Sequence, residues 1–370
     1  MKARHGEEIR RFILENVDDK PTDISRVTSE KFDVSRNAVA KHLRALIKNG
    51  LLEASGKTKD REYSLKPFLD EFFDYEVSTD LEEDVIWRDK ILPLLRDLPN
   101  NIIDICSLGI TEIVNNVVDH SESPTMLVSV IQDYKKVEFR VIDKGIGIFK
   151  KIQNDFGLDD PRQALLELTK GKLTSDKTKH SGEGIFFTSR MFSSFSISSG
   201  SLYFCRSKED NGWLMETKVR EHIQGTMVRM TINKNASHTM KDIYDLYASE
   251  FNEFGFTKTH VPLELLQYEG ENLISRSQAK RLMVRVENFK EVILDFKGVN
   301  LIGQAFADQI FRVWATAHPT TKILAFNTNN EVKEMINRVQ SREKLLDTML
   351  KGSSLGDLGK HEDEEKPKSY

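Results

Sequence analysis

The alternation of apolar and polar residues predicts a helix packed on a sheet in the middle of the chain. Apolar residues recur there at i, i+3, i+4, i+7 and i+8, at Ile110, Ile113, Val114, Val117 and Val118. On a helix this spacing forms one stripe, which can be buried against a sheet. Residues 137–141 alternate with period two, as in a half-buried strand. A further helix is expected over 185–192 and a further strand over 227–232.

The N-terminal residues are expected to form three short helices and a β-hairpin, over 5–16, 23–32, 35–49 and 51–65. Ser35 is a suitable N-cap for the third helix, and Gly50 is placed to end it. The side chains of this helix that are predicted to point inward are Val39, Leu43, Leu46 and Ile47. The other side of the helix is left polar and basic.

Residues 68–104 are predicted to be a helical connector. The first part, which includes Phe68, Phe72 and Tyr75, is too apolar for a free linker, so we expect it to pack as a helix. A second helix is expected over 80–98 and leads into the central segment.

The C-terminal third changes pattern. Two apolar runs, 292–296 and 322–326, read as buried strands, and each precedes a helical pattern, over 304–315 and 331–339. Strands that alternate with helices predict a parallel α/β sheet. The last residues, 341–370, have little to bury and are expected to be a flexible tail.

Composition places limits on the class of protein. With 370 residues, the chain is expected to hold two or three domains. A net charge of −4 is not that of a uniformly basic nucleic-acid coat. We see neither a bilayer-spanning apolar run nor a signal-peptide pattern, so no membrane association is expected. The two cysteines form no framework or metal spacing, which favours a reducing, cytoplasmic location.

Four short motifs that contain potential catalytic or ligand-binding groups follow one another in the central segment. They are Glu112-Ile113-Val114-Asn115-Asn116-Val117-Val118-Asp119-His120, Asp143-Lys144-Gly145-Ile146-Gly147, Gly182-Glu183-Gly184-Ile185 and Gly225-Thr226. Each alone has an ordinary explanation, such as a solvated helix face or a strand-to-turn Asp-x-Gly. Together they offer a carboxylate for general-base work, a carboxamide oxygen for Mg²⁺, and free N–H groups at a helix start for phosphate. Neither a Rossmann fingerprint nor a P-loop is present.

In this order the motifs resemble the ATP-binding module shared by gyrase, the heat-shock chaperone, histidine kinases and MutL, the GHKL superfamily. The resemblance implies an α+β sandwich with a Bergerat-type ATP pocket, in which Glu112 is the general base, Asn116 the Mg²⁺ ligand and Asp143 the acceptor for the adenine amine. The other nucleotide-binding residues that it implies are Asn115, Asp119, His120, Gly145, Gly147, Lys179, His180, Ser181, Gly182, Gly184, Ile185 and Thr226. The interval from Gly147 to Gly182 is a mobile lid in the family. Glu183 departs from the apolar residue usual there, and we expect its charge to point outward.

The N-terminal pattern, with its Val-Ser-Arg-x-x-Val-x-x-His-Leu run, resembles a winged helix-turn-helix of bacterial regulators. Residues 1–66 carry 15 Lys and Arg against 11 Asp and Glu, a net charge of +4, which suits phosphate contact. The residues implied in binding double-stranded DNA are Ser35, Arg36, Asn37, Lys41, Arg44, Lys57, Lys59 and Arg61. Winged helices also serve as protein-interaction or dimer modules, and that alternative stays open.

The run from Leu294 to Ile302 resembles the STAS domain of anti-sigma-factor antagonists. The phosphorylated serine of those proteins corresponds to about Gly303-Gln304-Ala305, where this chain has no hydroxyl. An interaction or relay domain that contacts a protein partner is therefore expected. No histidine lies between His42 and His120, so self-phosphorylation on histidine in the preceding helices is not expected.

These patterns predict a multidomain protein: a winged helix-turn-helix (1–67), the connector (68–104), a GHKL domain (105–235), a STAS-like domain (236–340) and the tail (341–370). The expected function is that of a dimeric, ATP-dependent regulator that binds ATP and Mg²⁺, hydrolyses ATP slowly, and so controls DNA or partner binding. Two alternatives stay open. One is an anti-sigma-like serine/threonine kinase acting on a separate partner. The other is a non-hydrolysing ATP sensor or defence module with a protein-binding winged helix.

Overall fold

The computed structural model describes residues 2–57, 60–173, 182–207, 212–216, 223–248, 256–267 and 271–353. The chain divides into two compact units, Met1–Leu246 and Tyr247–Tyr370. It is a multidomain α/β protein with one antiparallel and one parallel multi-stranded sheet. The division between the units lies later in the chain than the boundary predicted at residue 236.

The N-terminal helices and hairpin form as predicted. They are α1 (Lys2–Asn16), α2 (Ile24–Phe32), α3 (Arg36–Lys48), β1 (Leu52–Ser55) and β2 (Glu62–Leu65), and the two strands are antiparallel. The Ser35 side chain caps α3 by accepting a hydrogen bond from the N–H of Ala38 at 3.2 Å. Val39, Leu43 and Leu46 are buried in one apolar cluster, and Ile47 packs against it.

The first part of the connector is a strand, and the prediction of a helix there was wrong. β3 (Leu69–Glu76) pairs antiparallel with the next strand along its whole length. Phe73 and Tyr75 are half-buried and alternate with exposed Phe72, Asp74 and Glu76, so the second half of the segment has period two. The apolar content was read correctly, but its period was not. The helix predicted next is shorter, with α4 (Glu83–Ile86) and α5 (Leu92–Leu95) joined through a π-helical turn at Trp87–Ile91.

A seven-stranded antiparallel sheet with helices on its buried face forms the rest of the first unit. Its strands lie in the order β3-β4-β5-β9-β6-β7-β8. They are β4 (Thr125–Gln132), β5 (Lys136–Asp143), β6 (Ser194–Gly200), β7 (Leu202–Ser207), β8 (Gly212–Glu216) and β9 (Ile223–Asn233). The helices that follow α5 are α6 (Asn100–His120), α7 (Ile148–Phe156), α8 (Pro161–Lys170), α9 (Gly184–Met191) and α10 (Met240–Tyr247).

The central helix α6 buries the predicted apolar stripe. Ile110, Ile113, Val114 and Val117 are buried and Val118 is half-buried. Among the described residues, α6 is the one helix long and apolar enough to cross a membrane, and a core helix of this kind is weak evidence for a membrane span.

Cys106 on α6 and Cys205 on β7 are both free thiols.

The second unit holds a three-stranded parallel sheet, as the strand–helix alternation predicts. Its strands are β10 (Lys258–Pro262), β11 (Glu291–Asp295) and β12 (Lys322–Phe326), in that order. The described helices are α11 (Arg276–Met283), α12 (Gln304–Asp308), α13 (Ala315–Ala317) and α14 (Asn330–Ser353), with a π-helical turn at Gln309–Trp314. Strand β10 has no counterpart in the sequence prediction.

The predicted flexible tail begins too early, because α14 continues to Ser353. The residues between 341 and 353 include Arg, Glu, Lys, Leu and Met, which are strong helix formers, so helix propensity extends the element past its last buried residue. The remainder of the predicted tail, 354–370, lies outside the described residues.

Candidate functional site

An open cavity lies in the first unit, between the end of β5 and helices α6 and α7. The residues that line it are Ile113, Asn116, Val117, His120, Ser121, Val141, Asp143, Gly147, Ile148, Lys151, Ile152, Asp155, Phe156, Leu168, Leu173, Ile185, Thr226 and Val228. The wall is mostly apolar, with a few polar groups at defined places.

The carboxylate of Asp143 is held in a cradle of donors at one end of the cavity. The backbone N–H of Gly145 donates to its Oδ1 at 2.8 Å. The backbone N–H and hydroxyl of Thr226 also donate to this carboxylate, and the Thr226 oxygen in turn accepts from the N–H of Ile148 at 3.0 Å. Asp143 is only 3% exposed. Burial raises its pKa, and the hydrogen bonds from Gly145 and Thr226 offset this only in part.

The chain turns sharply after Asp143, and this turn requires glycine. Gly147 has φ of +88°, where side chains are strained, and a Cβ there would lie 2.6 Å from the hydroxyl oxygen of Ser199. That hydroxyl donates to the carbonyl of Gly225 at 2.7 Å. The second and fourth motifs are thus packed backbone to backbone beside the cavity.

The first and third motifs meet at another part of the site. The side-chain amide of Asn116 donates to the carbonyl of Glu112 at 2.7 Å. The carboxylate of Glu112 lies against Gly184, because a Cβ on that glycine would be 1.8 Å from its Oε2. Gly184 begins α9, so the first backbone N–H groups of that helix lie close to Glu112.

Gly182, at the end of the predicted lid, is hydrogen-bonded to Leu173 within that interval. The N–H of Leu173 donates to the carbonyl of Gly182 at 3.0 Å. Glu183 is half-buried rather than directed into solvent as predicted. Burial raises the pKa of its carboxyl, and the charge of Lys172 opposes that shift. The residues between Leu173 and Gly182 lie outside the described part of the chain, and they include the predicted site residues Lys179, His180 and Ser181.

The structure brings together most of the described residues that were predicted from the sequence. Asn116, His120, Asp143, Gly147, Ile185 and Thr226 line the cavity. Glu112, Gly145, Gly182 and Gly184 lie beside these residues along the chain or in contact with them. Asn115 is half-buried and Asp119 is exposed, and neither lines the cavity.

Sequence reasoning missed the face of α7 that closes the cavity. Lys151, Asp155 and Phe156 line it there, and the Lys151 ammonium lies 3.4 Å from Asp155 and 3.3 Å from Glu122. A signal was available: the amphipathic pattern directly after Gly147 was absorbed into the predicted lid instead of being read as a helix.

The site fits Mg²⁺ as a partner of phosphate rather than as a metal held by protein alone. Within the described residues, no group of three His, Cys, Asp or Glu is placed to hold a metal ion. Mg²⁺ is usually bound by one or two protein oxygens, waters and substrate phosphates. The amide oxygen of Asn116 meets that limited requirement.

The residues predicted to contact DNA lie on the surface of the N-terminal segment. Ser35, Arg36, Asn37, Lys41 and Arg44 are exposed on or next to α3, and Lys57 and Arg61 are exposed on the hairpin. Lys59 lies outside the described residues. The guanidinium of Arg61 lies 5.5 Å from the ring centre of Tyr63.

A second buried carboxyl lies at the end of a strand in the second unit. Asp295 accepts hydrogen bonds from Nε2 of His260 at 3.0 Å, from the N–H of Lys297 at 2.9 Å and from the amide of Asn327 at 2.9 Å. Asp295 is 4% exposed. Gly303, Gln304 and Ala305 form the start of α12, where the relatives suggested by the sequence carry a phosphorylated serine.

Comparison with known protein families bears on this second unit. The model of the family described as a STAS-like domain of unknown function (DUF4325) matches residues 278–333. The C-terminal unit contains a STAS-like domain. The matched residues run from α11 to the beginning of α14 and include β11 and β12, whereas β10 precedes them. No curated protein matches the chain.

Proposed function

We propose that the chain is an ATP-dependent regulator that binds Mg²⁺-ATP in the cavity of the first unit and hydrolyses it slowly. The observation that carries this proposal is the Asp143 cradle: a buried carboxylate, supported by Thr226, that faces a mostly apolar open cavity. The antiparallel sheet with helices on one face is compatible with the GHKL sandwich that the four motifs resemble.

Asp143 suits adenine for a chemical reason. A carboxylate has about four acceptor sites, and three donors from Gly145 and Thr226 are already placed around this one. One further donor can be taken from the cavity. The exocyclic amine of adenine is such a donor, whereas guanine presents a carbonyl oxygen at that position and would oppose the carboxylate.

Glu112 and Asn116 supply chemistry for the phosphates. A carboxylate next to the start of α9 can take a proton from an attacking water, while the helix N–H groups hold phosphate oxygens. Bound Mg²⁺ would neutralise phosphate charge, with the Asn116 oxygen as a protein ligand. Glu112 then belongs to the chemical step, and Asn116 belongs to metal-dependent binding.

The test separates binding from hydrolysis. ATP is expected to bind more tightly than GTP, and equal affinities would end the assignment. Glu112→Ala is expected to lower phosphate release by at least about 100-fold while ATP still binds, the scale of a lost general base. Asn116→Ala is expected to weaken Mg²⁺-dependent binding as well. Asp104→Ala is the matched control, because it removes an exposed carboxylate from the same helix.

The outcome also distinguishes the alternatives. Hydrolysis at the wild-type rate in Glu112→Ala would place the base elsewhere. Binding without any hydrolysis in the wild type would favour a sensor. A γ-phosphate label that appears on a partner protein instead of in free phosphate would favour a serine/threonine kinase, with Glu112 acting on a protein hydroxyl.

DNA binding by a winged helix at the N-terminus is the second function that we propose. Its support is the exposed polar face of α3 and the net charge of +4 over residues 1–66. Only residues 66–68 separate β2 of the hairpin from β3 of the sheet, so the two parts are closely linked. In a dimer, a change at the ATP site would then alter the spacing between the two winged helices, each of which binds one DNA half-site.

DNA titrations with and without a non-hydrolysable ATP analogue test this coupling, in the Glu112→Ala protein so that nothing turns over. A shift in DNA affinity of about 5- to 150-fold is expected, with an equal shift of ATP affinity by DNA. Arg36→Ala and Lys41→Ala should weaken DNA binding and flatten its salt dependence, whereas Lys20→Ala serves as a control away from α3. Identical curves would show that the modules are uncoupled. If no duplex binds at low salt, the winged helix serves protein contacts.

A further inference from the structure

Helix α10 is attached to the two helices that carry the phosphate end of the candidate site. The amide of Asn101, at the start of α6, donates to the carbonyls of Ala236 and His238 at 2.9 and 3.0 Å. The ring Nε2 of His238 lies 2.7 Å from the carbonyl of Met191, at the end of α9. The residues just before α10 are therefore tied to both α6 and α9.

Tyr244 on α10 extends this attachment towards Glu112. Its ring lies 4.5 Å from the ring of Phe187, centre to centre, at an interplanar angle of 51°. Phe187 is 3% exposed and lies one turn after Gly184 on α9. Tyr244 itself is 40% exposed, so its ring packs on the protein while part of the side chain faces solvent.

The hydroxyl of Tyr244 is in the electrostatic field of the two carboxylates at this end of the site. Burial raises the pKa of Tyr244, and the charges of Glu112 and Glu183 raise it further. The phenol is therefore protonated at neutral pH and can donate a hydrogen bond. This tyrosine belongs to none of the four sequence motifs.

We infer that Tyr244 is a positioning residue for the terminal phosphate, and that α10 carries the state of that phosphate towards the C-terminal unit. The inference rests on the proposed ATP binding. A phosphate next to Glu112 and the start of α9 gives the Tyr244 hydroxyl a charged acceptor, and ADP lacks that group. Tyr247, three residues further along α10, already belongs to the second unit, so the chain itself makes the connection.

The test compares Tyr244→Phe with the wild type for two ligands, ADP and a non-hydrolysable ATP analogue, both with Mg²⁺. The variant keeps the ring against Phe187 and removes only the hydroxyl. Its preference for the analogue over ADP is expected to fall about tenfold, with ADP affinity unchanged, the scale of one hydrogen bond to a charged acceptor. Tyr134→Phe makes the same change in the turn between β4 and β5, at the opposite end of β5 from Asp143, and should leave the preference unaltered.

Hydrogen exchange provides the second readout. The analogue, but not ADP, is expected to slow exchange of the α10 amides in the wild type, and this difference should be lost in Tyr244→Phe. An unchanged preference in Tyr244→Phe, or an equal loss of affinity for both ligands, would overturn the inference and leave ATP binding intact. Failure of the wild type to bind either nucleotide would instead refute the proposed function, and the inference with it.

Discussion

Two buried aspartates, one in each unit, end a strand in nearly the same local way. Asp143 ends β5 and accepts from the N–H two residues ahead at 2.8 Å, and Asp295 ends β11 and does the same at 2.9 Å. The two are 3% and 4% exposed. The remaining surroundings differ, because Asp143 lines a cavity, whereas Asp295 is joined by side chains from both neighbouring strands, through His260 and Asn327.

The two carboxyl groups have opposite pKa shifts for this reason. Burial raises the pKa of both, but at Asp143 the hydrogen bonds offset it only partly, so the pKa stays raised. At Asp295 the hydrogen bonds from His260, Lys297 and Asn327 outweigh burial, and the pKa is lowered. A carboxylate whose charge is incompletely compensated next to a cavity suits a ligand donor. A carboxylate whose charge is compensated by donors of the surrounding protein, as at Asp295, stabilises the fold instead.

The largest expected effect is on nucleotide affinity. Asp143→Asn keeps the size of the side chain but replaces the charge with a dipole, and is expected to weaken ATP binding by about 1.5–3 kcal/mol, or roughly 10- to 150-fold. Calorimetric titration with an ATP analogue measures this change.

The matched control is Asp295→Asn, which makes the same substitution at the other buried strand end. It should leave ATP affinity within about twofold of the wild type, since small changes outside a site have little effect on it. Equal losses in the two variants would contradict the distinction between a ligand-facing and a structural carboxylate.

The next effect is on stability and should be confined to the C-terminal unit. Asp295→Asn removes the charge that holds His260 and is expected to lower the free energy of unfolding of that unit by about 1–2 kcal/mol. Urea unfolding followed by hydrogen exchange of β11 amides measures it, with the amides of β5 as the internal reference. A loss of protection in β5 that matches the loss in β11 would show that the two units do not respond separately.

The sequence indicated the four motifs that meet at the candidate site better than the surfaces around them. Glu112, Asn116, Asp143 and Thr226 were found because each motif combines a chemical group with glycines or a helix start. Tyr244 belongs to no such motif, because its contact with Phe187 depends on α10 folding back onto α9, and no local sequence pattern predicts that contact. The winged-helix and GHKL assignments rest on resemblance, and their functional consequences stay predictions.

The errors in the fold have similar causes. Strand β3 was taken for a helix because its apolar content was weighed above its period of two. Strand β10 is as long as β11 and β12, but it contains Thr259 and His260 and so lacks the apolar run that marked the other two strands. Its place in the sheet comes from pairing with β11, which is a long-range contact in the sequence.

The smallest expected effect is a difference in the pH at which the two aspartates, Asp143 and Asp295, are protonated. The raised pKa of Asp143 means that its carboxyl takes up a proton above the usual aspartate range, and the adenine amine then loses its acceptor. For stability the sign is opposite: protonation of Asp143 relieves a buried charge, so its contribution favours the folded state as pH falls through the raised pKa. Asp295 has a lowered pKa, so the stability that it provides is present above the unfolded-state value and is lost only as pH falls through the lower, folded-state value.

ATP affinity should therefore decline at a higher pH than the stability of the C-terminal unit. Analogue affinity is expected to fall between neutral pH and a pH just above the usual aspartate range, because a group with a raised pKa begins to titrate there. Titrations at stepped pH measure it, and Asp143→Asn reports the part that comes from protonation of the nucleotide phosphates. The wild type should lose more affinity than this variant, while the exchange protection of β11 stays constant over the same interval. If β11 loses protection first, or if the wild type and Asp143→Asn have parallel pH profiles, then Asp143 is not the group that accepts the hydrogen bond from adenine.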